Sequence, residues 1–199
     1  MIKVKICGIT RLCDIDAVND VKPDYVGFVF ANSRRQVTFE QVNELRKNLA
    51  KDIIPVGVFV NETIENISQL VRDDIIKMVQ LHGMEKVEYI AKLKELINVP
   101  IIKAVSVKHS KDVQKWEATT ADYLLLDNES GGTGQTFNWD LIGKTTKPYF
   151  LAGGLCVNNI TNAISKTTPF AVDVSSGVET DGSKDPIKIK EFIRRVRHG

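Results

Sequence analysis

Short apolar runs alternate with amphipathic segments along the whole chain, and this alternation constrains the fold more than any other feature. The runs are rich in β-branched and aliphatic residues, which is typical of strands buried on both faces of a parallel sheet. Most runs are followed by apolar residues at helical spacing, such as Leu12, Ile15 and Val18 after the first run. Only short segments, 110–116 and 138–142, follow the fifth and sixth runs. The predicted strands are 4–7, 25–30, 54–60, 75–81, 101–105, 123–126, 149–152 and 170–174.

Eight consecutive strand–helix units favour an α/β fold in which right-handed crossovers keep all strands parallel. We therefore predict a single compact (β/α)8 TIM barrel that spans residues 1–199 as one domain. Such barrels are usually nearer about 250 residues, so the loops at the stable end must be short. An open doubly wound sheet is the alternative, although no G-x-G-x-x-G motif follows the first strand to favour a dinucleotide-binding fold.

Charge and composition argue against several classes of partner. With 27 Lys and Arg against 25 Asp and Glu, the net charge of +2 gives no basis for binding nucleic acid or an anionic membrane. No apolar run approaches the roughly 18 residues needed to cross a bilayer, and no secretory signal opens the chain. The cysteines, Cys7, Cys13 and Cys156, lack metal-type spacing and fit a reduced protein. We expect a cytoplasmic protein with no metal.

The sixth predicted strand ends on a carboxylate and leads into a glycine-rich segment. Asp127 follows the apolar run that begins at Tyr123, and Gly131, Gly132 and Gly134 come shortly after it. The C-terminal ends of barrel strands carry chemistry, and glycines let backbone N–H groups approach a bound anion. The alternative interpretation is an ordinary strand followed by an ordinary turn.

Alternation along the first strand directs Lys5 and Cys7 to one side, opposite to Val4 and Ile6. Because the two aliphatic residues suit contact with helices, we expect Lys5 and Cys7 to face the barrel axis. A thiol beside a lysine can have a lowered pKa and act as a base or nucleophile. A buried structural cysteine is the alternative. Asp127 can face Cys7 across the mouth, which suggests an acid and a base.

Two further strand ends carry polar candidates. Gln80 and His82 share a face at the end of the fourth strand, although His82 can equally be a solvated loop residue. Arg34 and Arg35 follow the second strand, where a guanidinium suits a substrate carboxylate. Taken alone, two loop arginines are more often solvated surface.

Small residues after the last two strands predict a phosphate site. Gly153 and Gly154 follow the seventh strand, and Ser175, Ser176 and Gly177 follow the eighth. Exposed backbone donors at these two turns, at the start of a short extra helix, form the usual phosphate site of such barrels.

Taken together, these motifs resemble the phosphoribosylanthranilate isomerase family. They occur in the expected order over nearly the whole chain: KICGIT (5–10), VGFVF (26–30), SRR (33–35), VGVFVN (56–61), VQLHG (79–83), LD (126–127) with GGTG (131–134), AGGL (152–155) and VDVSSGVE (172–179).

The resemblance implies a cofactor-free Amadori rearrangement of N-(5-phosphoribosyl)anthranilate in tryptophan biosynthesis. It implies that Cys7 is the general base, Asp127 the general acid and Arg35 the ligand of the anthranilate carboxylate. The turns after the last two strands would hold the phosphate, with Gln80, His82 and Asp173 as further substrate-binding candidates. The segment before Arg35 departs from the family pattern, because it lacks a proline before Ser33, and Arg34 competes for the same role.

Several alternatives stay open. Another phosphosugar aldose–ketose isomerase on the same barrel is the nearest, although such chemistry can use two aspartates and the first strand carries Cys7 instead. A metal-dependent epimerase needs several His and acidic ligands, and only His82 of three histidines is suitably placed. A non-catalytic phosphate-binding barrel predicts a damaged acid or base, whereas both Cys7 and Asp127 are present. The protein is expected to act as a monomer or a homodimer.

Overall fold

Eight parallel strands close into a barrel in the computed structural model, which describes residues 1–128 and 136–199. Each strand pairs with the next, and β1 pairs with β8 to close the ring. The predicted (β/α)8 barrel is therefore confirmed, and the open doubly wound alternative is wrong. The strands are β1 (Lys3–Cys7), β2 (Tyr25–Val29), β3 (Ile54–Phe59), β4 (Met78–Leu81), β5 (Ile101–Ser106), β6 (Tyr123–Asp127), β7 (Tyr149–Leu151) and β8 (Ala171–Val174).

Helices cover the outside of the barrel, and polar side chains fix where several of them begin. Thr38 and Thr63 accept hydrogen bonds from the backbone N–H three residues later, and Asp185 accepts from the first turn of the last helix. The helices are α1 (Leu12–Val21), α2 (Phe39–Asn48), α3 (Ile64–Arg72), α4 (Val87–Leu96), α5 (Ser110–Gln114), α6 (Ile160–Thr167) and α7 (Pro186–His198), with short 3-10 helices at Trp139–Ile142 and Ser176–Val178.

Two apolar regions hold the fold together. The larger one lies between the strands and the helices and includes Val4 and Ile6 of β1, as strand alternation predicts. The smaller one fills the interior of the barrel with side chains such as Tyr25, Phe150 and Met78. The barrel is thus a packed core rather than a pore, and polar groups collect above it at the C-terminal ends of the strands.

The boundaries differ from the sequence prediction at identifiable places. β4 begins at Met78 instead of residue 75. The N–H groups of Ile75 and Ile76 donate to the carbonyl of Leu70 at the end of α3, so these two residues cap the helix and do not join the sheet. Leu12, predicted to be buried, is 55% exposed.

A two-stranded hairpin, β9 (Glu179–Thr180) and β10 (Ser183–Lys184), was not predicted. Within the described residues, no helix is long and apolar enough to cross a membrane.

Candidate active site

One pocket of about 240 Å³ opens at the C-terminal ends of the strands and gathers most of the predicted site residues. Gly177 does not line it. A side chain at Gly177 would collide with the backbone carbonyl of Leu155, so this glycine lets the turn after β8 pack against the turn after β7. The predicted residues that line the pocket are Cys7, Arg35, Gln80, His82, Asp127, Gly153, Gly154, Asp173, Ser175 and Ser176.

Cys7 is the last residue of β1, and its buried side chain faces the barrel interior against β2. Gly27 of β2 makes room for it, since a Cβ atom at that position would lie 2.7 Å from Cys7 Sγ. Burial raises the pKa of the thiol, and Lys5 and Lys184 only partly oppose this. The lowered pKa expected from the sequence is therefore wrong.

Lys5 interacts with Asp173 as well as with Cys7, because its ammonium forms a buried ion pair with the Asp173 carboxylate. The two residues are paired in register across β1 and β8, and Lys5 Nζ lies 2.9 Å from Asp173 Oδ2. Burial alone would lower the pKa of Lys5, but Asp173 and Cys7 raise it overall. Among the described residues, the other oxygen, Asp173 Oδ1, has no hydrogen-bond partner. Because Asp173 lines the pocket, this oxygen can accept a hydrogen bond from a donor there.

Asp127 ends β6 and behaves as a weak acid. Burial raises the pKa of its carboxyl group to about 6, although the backbone N–H of Asn128, which donates to Oδ1 at 2.7 Å, lowers it. The nearby charge of Asp173 adds to the increase. With a pKa of about 6, about a tenth of this carboxyl group is protonated at pH 7, whereas an ordinary aspartate is almost fully ionised.

His82 lies beside this carboxyl group, with Nε2 3.7 Å from Asp127 Oδ2. Burial, followed by the charge of Lys5, lowers the pKa of His82, so the ring is neutral at pH 7. Gln80 Nε2 lies 2.9 Å from His82 Nδ1. Because an amide nitrogen only donates, this contact puts the imidazole proton on Nε2, toward Asp127. His82 thus lines the pocket beside Asp127, with 32% of its side chain exposed.

The turns after β7 and β8 lie next to the acid and the thiol. Gly153 has φ of +80°, and a Cβ atom there would lie 2.8 Å from Asn128 N and 2.9 Å from Asp127 Oδ1. Only glycine allows this close approach. On the other side, Ser175 Oγ donates to the carbonyl of Cys7 at 3.0 Å. A group bound by these turns would therefore sit within reach of both residues.

Arg34 and Arg35 differ in their surroundings although they are adjacent in sequence. Arg35 lines the pocket, and its side chain is 14% exposed, whereas that of Arg34 is 56% exposed. Both donate to Glu179, Arg35 through Nε at 2.7 Å and Nη2 at 2.9 Å. Lys184 of β10, buried, donates to the same carboxylate at 2.7 Å. Burial alone would raise the pKa of Glu179, but the hydrogen bonds from Arg35 and Lys184 lower it.

Glu179 and Lys184 had no predicted role in the site. The Asp181-Gly182 pair between them is a common signal for a β-hairpin turn. This signal could have predicted that Glu179 and Lys184 face each other. Gly131, Gly132 and Gly134, which were predicted to approach an anion, lie outside the described residues. In the described part of the chain, no cluster of three or more His, Cys, Asp or Glu side chains is arranged to hold a metal ion.

These features define a (β/α)8-barrel enzyme whose mouth combines a weak acid, a thiol and two glycine- and serine-rich turns. Residues 4–195 match the family model of N-(5'-phosphoribosyl)anthranilate (PRA) isomerase. The isomerase of this name from Clostridium acetobutylicum is 49% identical, with 99% of this chain and 98% of the relative covered. The chain belongs to the N-(5'-phosphoribosyl)anthranilate isomerase family.

Solved structures agree with this membership. Phosphoribosyl anthranilate isomerase from Thermotoga maritima superposes with a TM-score of 0.89 at 38% identity, over 99% of both chains. Another structure of a phosphoribosyl anthranilate isomerase, in complex with reduced 1-(o-carboxyphenylamino)-1-deoxyribulose 5-phosphate, gives a TM-score of 0.84 at 36% identity over 99% of both chains. The predicted family, its isomerase function in tryptophan biosynthesis and the aldose–ketose isomerase class are thus confirmed.

Proposed function

We propose that the protein converts N-(5-phosphoribosyl)anthranilate to 1-(2-carboxyphenylamino)-1-deoxyribulose 5-phosphate, with Asp127 as general acid and Cys7 as general base. The observation that carries the assignment is that a carboxyl group with a pKa of about 6 and a buried thiol line the same pocket. Residues 1–199 act as one catalytic domain. No cofactor enters the reaction, because both steps only move protons and the electron pairs they leave behind.

The first step is opening of the ribose ring. Protonated Asp127 donates its proton to the ring oxygen while the C1–O bond breaks, and the nitrogen lone pair forms an iminium. Burial favours the neutral acid before this transfer. His82, neutral and carrying its proton on Nε2, supports the carboxylate that forms, since its ring lies 3.7 Å from Asp127.

The second step is proton abstraction from C2 by the Cys7 thiolate, which gives an enolamine that tautomerises to the ketone. Burial raises the pKa of the Cys7 thiol, whereas the pKa of the Asp127 carboxyl group is about 6. Consequently, only a minority of enzyme molecules carries the protonated acid and the thiolate together. Lys5 and Lys184 raise this fraction, since both lower the thiol pKa.

Substrate binding uses the charged and polar groups around this pair. Arg35, rather than the more exposed Arg34, binds the anthranilate carboxylate, because it lines the pocket. Gly153, Gly154, Ser175, Ser176 and Gly177 belong to the two turns that bind the phosphate. Buried acceptor oxygens of Gln80 and Asp173, which have no partner among the described residues, suit ribose hydroxyl groups.

The finer points of assembly and compartment are also proposals. The protein acts on a small phosphosugar, without nucleic acid or membrane, as a monomer or a homodimer. An isomerase from Thermotoga maritima is described as dimeric, which supports the second state. The cytoplasm fits the three free cysteines, one of which is exposed.

The test follows the loss of substrate fluorescence with purified protein in the presence of a chelator. Wild type should turn over, and Cys7→Ser and Asp127→Asn should each lose at least about 100-fold in kcat. Cys13→Ser and Asp52→Asn change the same chemical groups at exposed positions and should retain full activity. Full activity in either site variant would overturn its role. An inactive wild type would overturn the function and favour the non-catalytic barrel.

A further inference from the structure

We propose that Glu179 is a positioning residue that holds Arg35 so that one edge of its guanidinium group faces the substrate carboxylate. The inference rests on the proposed role of Arg35 and adds the residue that orients it. Glu179 lies on the hairpin after β8 and does not line the pocket, so it acts through Arg35 rather than on the substrate.

The hydrogen-bond geometry identifies which edge of Arg35 is held. Nε donates to Glu179 Oε1 and Nη2 donates to Oε2, which is the two-point contact of a guanidinium with a carboxylate. A guanidinium has five N–H donors in a fixed plane, and this contact uses two of them. In the described part of the chain, Nη1 donates to no other group. The Nη1–Nη2 edge is therefore available for a second carboxylate.

The stem of Arg35 is confined as well. A Cβ atom at Gly8 would collide with Arg35 Cδ, so the side chain crosses directly over the backbone next to Cys7. With its stem on Gly8 and one edge on Glu179, Arg35 has little freedom to rotate. The side chain loses less entropy when a carboxylate binds to its other edge.

Glu179 is itself fixed by groups other than Arg35. Lys184 donates to its Oε1 and also to the carbonyl of Ser175 at 3.0 Å, and both side chains are at most 5% exposed. Ser175 in turn donates to the carbonyl of Cys7. The position of Glu179 is therefore tied to the phosphate-binding turn and to β1, the elements against which the substrate must be aligned.

The experiment compares two inhibitors that differ only in the carboxyl group. One is reduced 1-(o-carboxyphenylamino)-1-deoxyribulose 5-phosphate, and the other is the same molecule with an unsubstituted phenyl ring. Calorimetry gives their dissociation constants, and the ratio of the two measures the contribution of the carboxylate. A general weakening of the fold changes both constants and leaves the ratio unchanged, so the ratio separates orientation from stability.

The expected ratios follow from the strength of charge-assisted hydrogen bonds. Wild type should bind the carboxylated inhibitor about 10- to 100-fold more tightly, and Arg35→Met should bring the ratio close to one. Glu179→Gln keeps the shape but lacks the second acceptor, and it should lower the ratio by about tenfold. Adding Glu179→Gln to Arg35→Met should cause no further loss in the ratio, because the two residues act on the same contact.

Glu191→Gln is a matched control, since Glu191 holds Arg194 and Arg195 through similar hydrogen bonds on α7. It should leave the ratio unchanged. If Glu179→Gln does not fold, the substitution is made in a Lys184→Met background, where no buried ammonium is left unpaired. The ratio of the double variant is then compared with that of Lys184→Met alone.

The positioning role would be overturned, and the proposed function left intact, if Glu179→Gln kept the wild-type ratio of dissociation constants while Arg35→Met brought that ratio close to one. A wild-type ratio in Arg35→Met, or a ratio near one in wild type, would overturn the role of Arg35 itself.

Discussion

A methyl group added at Gly27 tests whether the position of the Cys7 thiol controls the reaction. The Cβ atom of Gly27→Ala would lie 2.7 Å from Cys7 Sγ and 3.2 Å from Cys7 Cα. Carbon atoms in contact are usually about 3.5 to 4.0 Å apart, and sulfur is larger than carbon. The thiol must therefore move by about 0.8 Å or more, or β1 and β2 must separate.

The structure gives the size of the expected effect. A displacement of about 1 Å at a reacting group can cost about 100-fold in rate, so we expect kcat/KM to fall by about 10- to 100-fold. Overpacking in a close-packed region also costs about 1 to 3 kcal/mol of stability. Rates must therefore be measured well below the unfolding temperature of the variant.

Gly57→Ala is the matched control because it crowds the barrel to the same extent away from the thiol. Its Cβ atom would lie 2.7 Å from the ring of Phe59 and 2.8 Å from Ile76. We expect a similar loss of stability by urea unfolding and a much smaller loss of kcat/KM in the fluorescence assay. If Gly27→Ala retained kcat/KM within about threefold of Gly57→Ala, the reasoning that ties rate to the position of Cys7 would be refuted.

Three further predictions concern charge. First, kcat/KM should rise with pH up to about 6, level off, and fall above the raised pKa of Cys7. Between the pKa values of Asp127 and Cys7 the profile is flat, because the gain of thiolate is balanced by the loss of the Asp127 proton. A pH–rate profile without an inflection near 6 would contradict this. Second, Lys5→Met should raise the pKa of the falling limb, since Lys5 lowers that of Cys7, and an unchanged profile would remove Lys5 from the mechanism. Third, Lys103→Met should cost about 3 kcal/mol by urea unfolding, because it leaves Glu85 buried without its cation, whereas Lys22→Met at an exposed pair should have no measurable effect. Equal effects of the two lysine substitutions would contradict that account.

The sequence was sufficient to predict the barrel and the inward face of its first strand. Alternation with a period of two places Lys5 and Cys7 on one side because a strand has only two faces, and the eight repeats leave few topologies. The ion pair of Lys5 with Asp173 was not predictable in the same way. It depends on closure of the barrel between β1 and β8, whose partners are 168 residues apart.

The pKa of Cys7 shows why the lysine–cysteine motif of the first strand did not predict the direction of the pKa shift. The sequence places a lysine near the thiol, which suggests a lowered pKa, but the lysine is neutralised by an aspartate and the thiol is buried. Burial and the identity of the nearest counter-charge are tertiary properties, and they decide the sign of the shift.

Local sequence signals for secondary structure were sometimes present but outweighed by the backbone hydrogen bonds of the fold. Ile75 and Ile76 are apolar and β-branched and favour a strand, yet their backbone groups close α3 after a turn at Asp74, which has φ of +60°. Conversely, the two positive-φ residues Asp181 and Gly182 form the turn of the unpredicted hairpin. Adjacent residues in a loop have no fixed periodicity, so the sequence did not predict that Arg35 lines the pocket while Arg34 is more exposed.

The most direct test of the acid–base assignment uses substrate deuterated at C2. In Cys7→Ser, proton abstraction from C2 should limit the residual turnover, so a large primary isotope effect on kcat is expected. In Asp127→Asn, ring opening comes earlier and should limit turnover, so the isotope effect should be close to unity. Equal isotope effects in the two variants, or the reverse order, would contradict the assignment of the thiol to C2 and of the carboxyl group to the ring oxygen.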